Sequence, residues 1–231
     1  MCEQIKSKQR VADHGEVFTN EREVKAMCDL VGVEVKKIDS TVLEPACGEG
    51  NFLIEILSRK LETVRELYAD TKAKYDLNSV IAVSSLYGVD ILGDNVTICR
   101  ENLFNLWQDA YIQTIGEKPE KKLRDTVSRI LELNIIRGNT LSTKLVDDDA
   151  NDTDEPIVFS EWKFTDHGYV FRIENRYDTM LGEDKPDDGS FLLAMLQDVG
   201  GKWQRDPQTG HYAPIIHNRI HYKEIGNSLH L

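Results

Sequence analysis

Short apolar segments alternate with longer helical ones throughout residues 1–146, and this alternation constrains the fold more than any other feature of the chain. The segments that predict strands are residues 41–43, 80–83 together with 87–89, and 134–137. The segments that predict helices are residues 21–31, 52–74, 94–107 and 123–133. Because strands that alternate with helices form parallel sheets joined by crossover helices, we predict an α/β fold with βαβαβ order.

Two acidic segments divide the chain and are typical of solvated loops: residues 147–155 (DDDANDTDE) and 183–188 (EDKPDD). Between them, two apolar segments at 157–164 and 169–173 flank a polar turn, which predicts a β-hairpin. We therefore predict an α/β domain over residues 1–146 and a small β-rich appendage over residues 157–231.

The formal net charge of −12 bears on the partners of the protein. Proteins that coat nucleic acid neutralise phosphates with clustered lysine and arginine, so this acidic chain is not of that kind. The C-terminal region mixes cationic and stacking side chains, so the sequence still allows a local nucleic-acid-binding surface there. Plain packing of these side chains is the alternative. These are Trp203, Arg205, His211, Tyr212, His217, Arg219, His221 and Tyr222.

Two further features indicate the environment of the protein. No run of about 18 apolar residues is present and the first residues contain no apolar leader, so we expect neither membrane insertion nor export, and a cytoplasmic protein. The four cysteines are scattered without a CxxC pair, so we expect reduced structural thiols and no metal site. They are Cys2, Cys28, Cys47 and Cys99.

A glycine-rich turn, residues 43–53 (LEPACGEGNFL), lies between the first predicted strand and the next helix. Gly48 and Gly50 allow the backbone to turn sharply and to approach a ligand closely. The carboxylates of Glu44 and Glu49 disfavour a pyrophosphate beside this turn. S-adenosylmethionine carries a positive sulfonium and an ammonium group, so it is compatible with such an acidic turn. A tight connection without a ligand is the alternative.

A second acidic position follows the next strand, in the segment Tyr87-Gly88-Val89-Asp90. Ligands of open α/β sheets bind at the carboxyl ends of the strands, which is where Asp90 falls. A carboxylate there can accept hydrogen bonds from both hydroxyls of a ribose. In combination with the glycine turn, Asp90 is therefore a candidate ribose-binding residue, although a helix cap or turn residue is the alternative.

Four segments in this order resemble those of adenine-N6 DNA methyltransferases, which serve as modification subunits of restriction-modification systems or are fused to the restriction enzyme. The segments are residues 13–20 (DHGEVFTN), 44–53 (EPACGEGNFL), 87–91 (YGVDI) and 134–141 (NIIRGNTL). The resemblance covers roughly residues 6–145. It implies a Rossmann-like S-adenosylmethionine-dependent methyltransferase fold for this part of the chain, with S-adenosyl-L-methionine as cofactor and DNA as substrate.

The resemblance also implies a set of cofactor-binding residues. Phe18 and Thr19 correspond to residues that close over the methionine part, and residues 44–50 correspond to the loop beneath it. Asp90 corresponds to the ribose-binding acid, Ile91 to the residue beside the adenine ring, and Asn139 to the residue that contacts the adenine amino group. Plain packing is the alternative for Phe18, Thr19 and Ile91. The full set is Phe18, Thr19, Glu44, Pro45, Ala46, Gly48, Gly50, Asp90, Ile91 and Asn139.

The catalytic signature of that family, Asn or Asp followed by Pro-Pro and an aromatic residue, is absent, because the chain contains no Pro-Pro pair. In the family these groups accept hydrogen bonds from the target amino group and stack on a flipped base. The segment Ser160-Glu161-Trp162, at the end of a fourth strand, is a weak substitute. A hairpin strand is the alternative for this segment.

Two functions therefore remain open from the sequence. The first is a partial modification subunit that binds the cofactor and depends on a partner chain for catalysis or target recognition. The second is a non-catalytic S-adenosylmethionine-binding or interaction module derived from the same fold. A methyltransferase acting on small molecules or RNA is a third reading, and the four segments disfavour it.

Overall fold

A computed structural model describes residues 19–165, 167–181, 205 and 212–227. Its helices are α1 (Glu21–Val31), α2 (Asn51–Tyr68), α3 (Lys72–Ser84), α4 (Gly93–Ile115), α5 (Lys121–Asn134) and α6 (Tyr177–Met180), with 3-10 helices at Gly32–Lys36 and Tyr222–Asn227. Its strands are β1 (Val42–Glu44), β2 (Leu86–Asp90), β3 (Ile135–Asn139), β4 (Lys144–Val146), β5 (Asp152–Pro156), β6 (Val158–Phe164), β7 (Tyr169–Arg176), β8 (Ile215–Ile216) and β9 (Ile220–His221).

The protein is mixed α/β, and its main sheet has the strand order β1-β2-β3-β4-β5. The first three strands are parallel, as the alternation of strands and helices predicts, and β4 and β5 continue the sheet in antiparallel fashion. In this register Glu44 lies beside Gly88, and Asp90 lies beside Arg137. The carboxyl ends of β1, β2 and β3 therefore meet at one edge of the sheet.

Three sequence expectations about local structure are wrong. Residues 80–83 belong to α3 and not to a strand. The expectation failed because a short, largely buried apolar run looks the same in a helix and in a strand. The helix expected over 52–74 is interrupted at Ala69–Asp70, so α2 and α3 are separate. The acidic segment 147–155 is not simply a loop, since Asp147 accepts hydrogen bonds from the N–H groups of Asp149 and Asn151 and the chain returns as β5.

One face of the main sheet packs against the long helices, with which it shares a core. Leu86 and Ile135 supply the sheet side of this core, and neither is exposed to solvent. Burial of such large apolar side chains is the main favourable term in folding. The helix side is formed by Leu53, Leu57, Tyr75, Val80, Leu103, Trp107, Tyr111, Val127 and Ile130.

The opposite face of the sheet packs against the start of the β6–β7 hairpin. Tyr87, Val89 and Ile136 form a second apolar cluster with Phe159 and other residues of the C-terminal part. The predicted hairpin is confirmed: β6 pairs with β7 in antiparallel register from Val158–Arg176 to Phe164–Val170. Strands β8 and β9 both pair with β7, so the sheet of the C-terminal part is separate from the main sheet.

The far end of the hairpin and the last 3-10 helix pack against α5. The backbone carbonyl of Tyr222 accepts a hydrogen bond of 2.9 Å from the Thr126 hydroxyl, and Ile225 is fully buried. Among the helices that the structure describes, none is long and apolar enough to cross a membrane.

Candidate functional site

The glycine-rich turn joins β1 to α2 and bends over the carboxyl end of β2. The N–H of Cys47 donates to the carbonyl of Val89 at 2.9 Å, and the N–H of Gly50 donates to the carbonyl of Cys47 at 2.8 Å. The N–H of Gly48 donates to Oδ2 of Asp90 at 2.8 Å. The turn and the acidic residue that the sequence analysis selected are therefore in direct contact, 42 residues apart in the chain.

Both glycines of the turn adopt a positive φ, which side chains disfavour. Gly50, with φ of 94°, lies so close to helix α4 that an added Cβ would be 2.7 Å from Sγ of Cys99. Gly48 has φ of 53°, and an added Cβ there would meet no atom of the described residues within 4 Å. The missing side chain of Gly50 thus allows the turn to pack closely against α4. On the other side of the turn, above Gly48, the described residues leave open space.

We expect Gly50→Ala to destabilise the protein by about 2–3 kcal/mol, because it combines left-handed backbone strain with a clash against Cys99. Gly48→Ala is the matched control, and it should cost about 1 kcal/mol because it introduces the strain alone. Chemical denaturation followed by circular dichroism measures both values. Equal costs for the two variants would show that the packing against α4 is not as described.

Two buried thiols form the base of the turn. Hydrogen bonding to the Cys99 thiol and burial raise the pKa of Cys47 far above its ordinary value, so this thiol stays protonated. A Cβ on Gly88 would lie 3.0 Å from Sγ of Cys47, so the absence of a side chain at Gly88 allows the turn to pack on β2. Cys28, Cys47 and Cys99 are free and buried, as expected for structural thiols, and Cys2 lies outside the described residues.

The Asp90 carboxylate is held by three donors of the protein itself. In addition to Gly48, the N–H of Leu92 donates to Oδ1 at 2.9 Å and Nδ2 of Asn95 donates to Oδ1 at 3.3 Å. A carboxylate has about four lone-pair positions, so roughly one position, on Oδ2, remains for a further donor. Asp90 is oriented toward the turn and retains the capacity to accept one more hydrogen bond.

Glu44 and Asn139 end the two strands on either side of β2. Burial raises the pKa of the Glu44 carboxyl above its ordinary value, and the N–H of Ala46 donates to that carboxylate at 3.4 Å. The Asn139 side chain accepts from the N–H of Leu141 and donates to Asp152, each at 3.0 Å. Both residues lie at the expected edge of the sheet, and Asn139 is partly engaged by its own loop.

The remaining predicted cofactor residues lie around this edge. The carbonyl of Pro45 accepts from the Thr140 hydroxyl at 3.2 Å, which joins the loops after β1 and β3. Ala46 is exposed, Ile91 and Thr19 are half-buried, and Phe18 lies outside the described residues. The structure therefore brings the loop 44–50 together with Asp90 and Asn139 and says nothing of the segment around Phe18.

The interpretation of Ser160, Glu161 and Trp162 as the end of a fourth strand of the main sheet is wrong, because β6 pairs with β7 in the second sheet. Ser160 is 1% exposed and accepts a hydrogen bond from Arg172 at 2.8 Å. The indole N–H of Trp162 donates to Asn134 at 3.0 Å inside the core. Glu161 is half-exposed and pairs with Lys163. Two of the three candidates are thus engaged in buried packing contacts.

Two asparagines support the site, and the sequence analysis missed both. Asn95 holds Asp90 from the first turn of α4, and Nδ2 of Asn102 donates to the carbonyl of Glu49 at 3.0 Å. Asparagine is equally common in turns and caps, so its role depends on the spatial approach of α4 to the turn. A helical spacing of seven residues, about two turns, places both on the same side of α4, and this is the signal that was available.

Two histidines of the C-terminal region that the structure describes, His217 and His221, have protein partners. His217 contacts the Glu174 carboxylate at 3.0 Å, and His221 accepts from the N–H of Lys223 at 3.3 Å and lies against the Tyr222 ring. His211 lies outside the described residues. Within the part of the chain that the structure describes, no group of three or more His, Cys, Asp or Glu side chains is arranged to hold a metal ion.

The chain was compared with protein-family models, with curated proteins and with solved structures, and none of them matches it.

Proposed function

We propose that this chain is the S-adenosylmethionine-binding part of an adenine-N6 DNA methyltransferase of the restriction-modification type. A partner chain would supply the catalytic acceptors and target recognition. The observation that carries the proposal is the hydrogen bond between Gly48 and Asp90, which joins an acidic strand end to a glycine turn on the neighbouring parallel strand. The resemblance of four ordered segments to that family adds to it.

The charge of this edge favours S-adenosylmethionine over a nucleotide phosphate. Glu44 and Asp90 both end strands here, and Glu49 lies in the turn between them. A phosphate would meet three carboxylates, whereas the ammonium and sulfonium groups of S-adenosylmethionine carry the opposite charge. When bound, the cofactor supplies an electrophilic methyl group, and the residues of this chain would hold and orient it.

The acceptors present fit the donors of the cofactor. The free position on Asp90 suits a ribose hydroxyl, and the half-buried Glu44 suits a cationic amino group. A cationic group bound beside Glu44 would lower the pKa of this carboxyl again, because it stabilises the charged carboxylate. The open space above Gly48 leaves room for close approach of a ligand to the backbone.

The proposed dependence on a partner is supported by what the described residues lack. Transfer to an adenine amino group needs acceptors aligned with the methyl group, and Ser160 and Trp162 are engaged in buried contacts instead. Among the residues that the structure describes, β1 pairs with β2 alone, so its outer edge bears no strand of the main sheet. This edge adjoins the proposed cofactor site.

The test measures cofactor retention and methyl transfer in one sample. We expect the isolated chain to retain labelled S-adenosylmethionine on a filter and to transfer no label above background to unmodified duplex DNA. Retention without transfer separates cofactor binding from catalysis, and recovery of transfer on adding a partner chain with an Asn-Pro-Pro-aromatic segment supports the modification-subunit function. Robust transfer by the chain alone would contradict the proposed dependence on a partner.

A further inference from the structure

A cavity of about 420 Å³ lies on the sheet face opposite the long helices. Leu43 of β1 and Tyr87 of β2 are direct neighbours in the sheet, and both line the cavity. Asp90 is three residues further along β2, which corresponds to about 10 Å, and strand alternation directs it to the other face. The cavity is therefore distinct from the proposed cofactor site, and its size is in the range of small-molecule sites.

The inner wall of the cavity is aromatic. Tyr87 and Phe159 are nearly fully buried, and their rings meet edge to face with centroids 5.6 Å apart. The Tyr87 hydroxyl donates to the carbonyl of Ser160 at 2.8 Å, so this ring contributes apolar surface and not a free hydroxyl. Leu43 extends the same wall. Such a surface favours a flat, apolar or aromatic ligand.

Two residues of the cavity lining, Arg176 and Tyr212, form a stacked pair. The guanidinium of Arg176 lies over the Tyr212 ring, with Cζ 3.9 Å from the ring centroid. Arg176 is fixed further by hydrogen bonds to Asp178, the longer of which is 3.1 Å. The lining therefore contains a fixed planar guanidinium as well as aromatic rings, and such groups favour a planar ligand.

Two polar side chains converge on this cavity from neighbouring strands. Oε2 of Glu161 accepts a hydrogen bond of 3.4 Å from Nδ2 of Asn175, and both residues line the cavity. This bond is long, and Asn175 and Lys163 take two of the roughly four lone-pair positions of the carboxylate, so the carboxylate and the amide can each bind a further group. Side by side they present an acceptor and a donor to a ligand, a combination that matches the edge of an amino-substituted nitrogen heterocycle.

We propose that this cavity binds a flat heteroaromatic ring that bears an exocyclic amino group, as an adenine base does. The ring packs on Tyr87 and Phe159, its amino group donates to Glu161, and a ring nitrogen accepts from Asn175. The ligand is a free nucleoside or a base of single-stranded nucleic acid, which share this chemistry. The inference does not depend on cofactor binding at Asp90.

Equilibrium dialysis of the full chain with adenosine and inosine tests the assignment. Inosine has the same shape but a carbonyl in place of the amino group, so it would direct an acceptor at Glu161. We expect adenosine to bind at least about tenfold more tightly than inosine, the ratio expected for one hydrogen bond to a charged group. Glu161→Gln should remove this preference, whereas the control Glu155→Gln, on the exposed strand β5, should retain it.

Two further arms locate the site and identify its source. Asp90→Ala removes any adenosine bound at the proposed cofactor site, so the binding that remains in this variant should keep the preference for adenosine over inosine and should lose it when Glu161→Gln is added. A short single-stranded oligodeoxyadenylate that binds more tightly than adenosine would assign the ring to nucleic acid, and weaker binding would assign it to a free nucleoside. Absence of adenosine binding to the wild-type chain would overturn the proposal. Loss of binding in Asp90→Ala, with Glu161→Gln unaffected, would also overturn it.

Discussion

Replacing Asp90 with alanine is expected to weaken binding of S-adenosylmethionine by about 10- to 150-fold, which corresponds to about 1.5–3 kcal/mol. The loss has two sources in the structure. The carboxylate is the proposed acceptor for the ribose, and it also holds the glycine turn in place through the N–H of Gly48 at 2.8 Å. Without it, both the direct contact and the orientation of the turn are lost.

The control for this variant is Asp109→Ala, which removes the same charge from an exposed position of α4. The affinity of this variant for the cofactor should remain within about twofold of the wild type, since Asp109 lies on the helix surface about 10 Å along α4 from Asn102, which contacts the turn. Circular dichroism of both variants establishes that they are folded at the temperature of the titration. Equal affinities for Asp90→Ala and Asp109→Ala would remove Asp90 from the site.

Trp162→Ala is expected to lower the free energy of unfolding by about 3–5 kcal/mol, the usual cost of removing a large aromatic side chain from a core. Trp162 is 8% exposed and packs with residues of the helices in the main core. Its indole N–H also satisfies Oδ1 of Asn134, whose Nδ2 donates to the carbonyls of Ser84 and Leu86. The substitution therefore affects both the junction between α3 and β2 and the start of β3.

Trp162→Phe separates the two contributions of the tryptophan. Phenylalanine keeps most of the apolar volume but leaves Oδ1 of Asn134 without its donor, so we expect a smaller loss of about 1–3 kcal/mol. Urea denaturation of both variants measures these values. A change below about 1 kcal/mol in Trp162→Ala would show that Trp162 does not serve as a packing residue and would restore it as a candidate for base stacking.

The glycine turn and Asp90 were predictable because their signals are local. Gly48 and Gly50 mark a strand-to-helix turn in the sequence itself, and Asp90 follows a short apolar strand directly. Parallel pairing of these strands then brings their carboxyl ends together without further information. The same local logic identified the β6–β7 hairpin from its two apolar segments.

The features that the sequence analysis missed depend on contacts between distant segments. Helix α3 is packed between α2, α5 and the sheet, so all four residues 80–83 are apolar. A run without polar positions has no periodicity that would distinguish a helix from a strand. The place of β6 in a second sheet, and not as a fourth strand of the main sheet, likewise depends on pairing geometry and not on composition. The support of Asp90 by Asn95 was hidden for the same reason, since it depends on where α4 approaches the turn.

The central claim, that the carboxyl edge of β1, β2 and β3 binds S-adenosylmethionine, is tested most directly by calorimetric titration of the wild-type chain. S-adenosylmethionine and its demethylated product should each bind at one saturable site, and ATP should not compete, because Glu44 and Asp90 disfavour its phosphates. Absence of heat from either cofactor form, or displacement of bound cofactor by ATP, would contradict the claim.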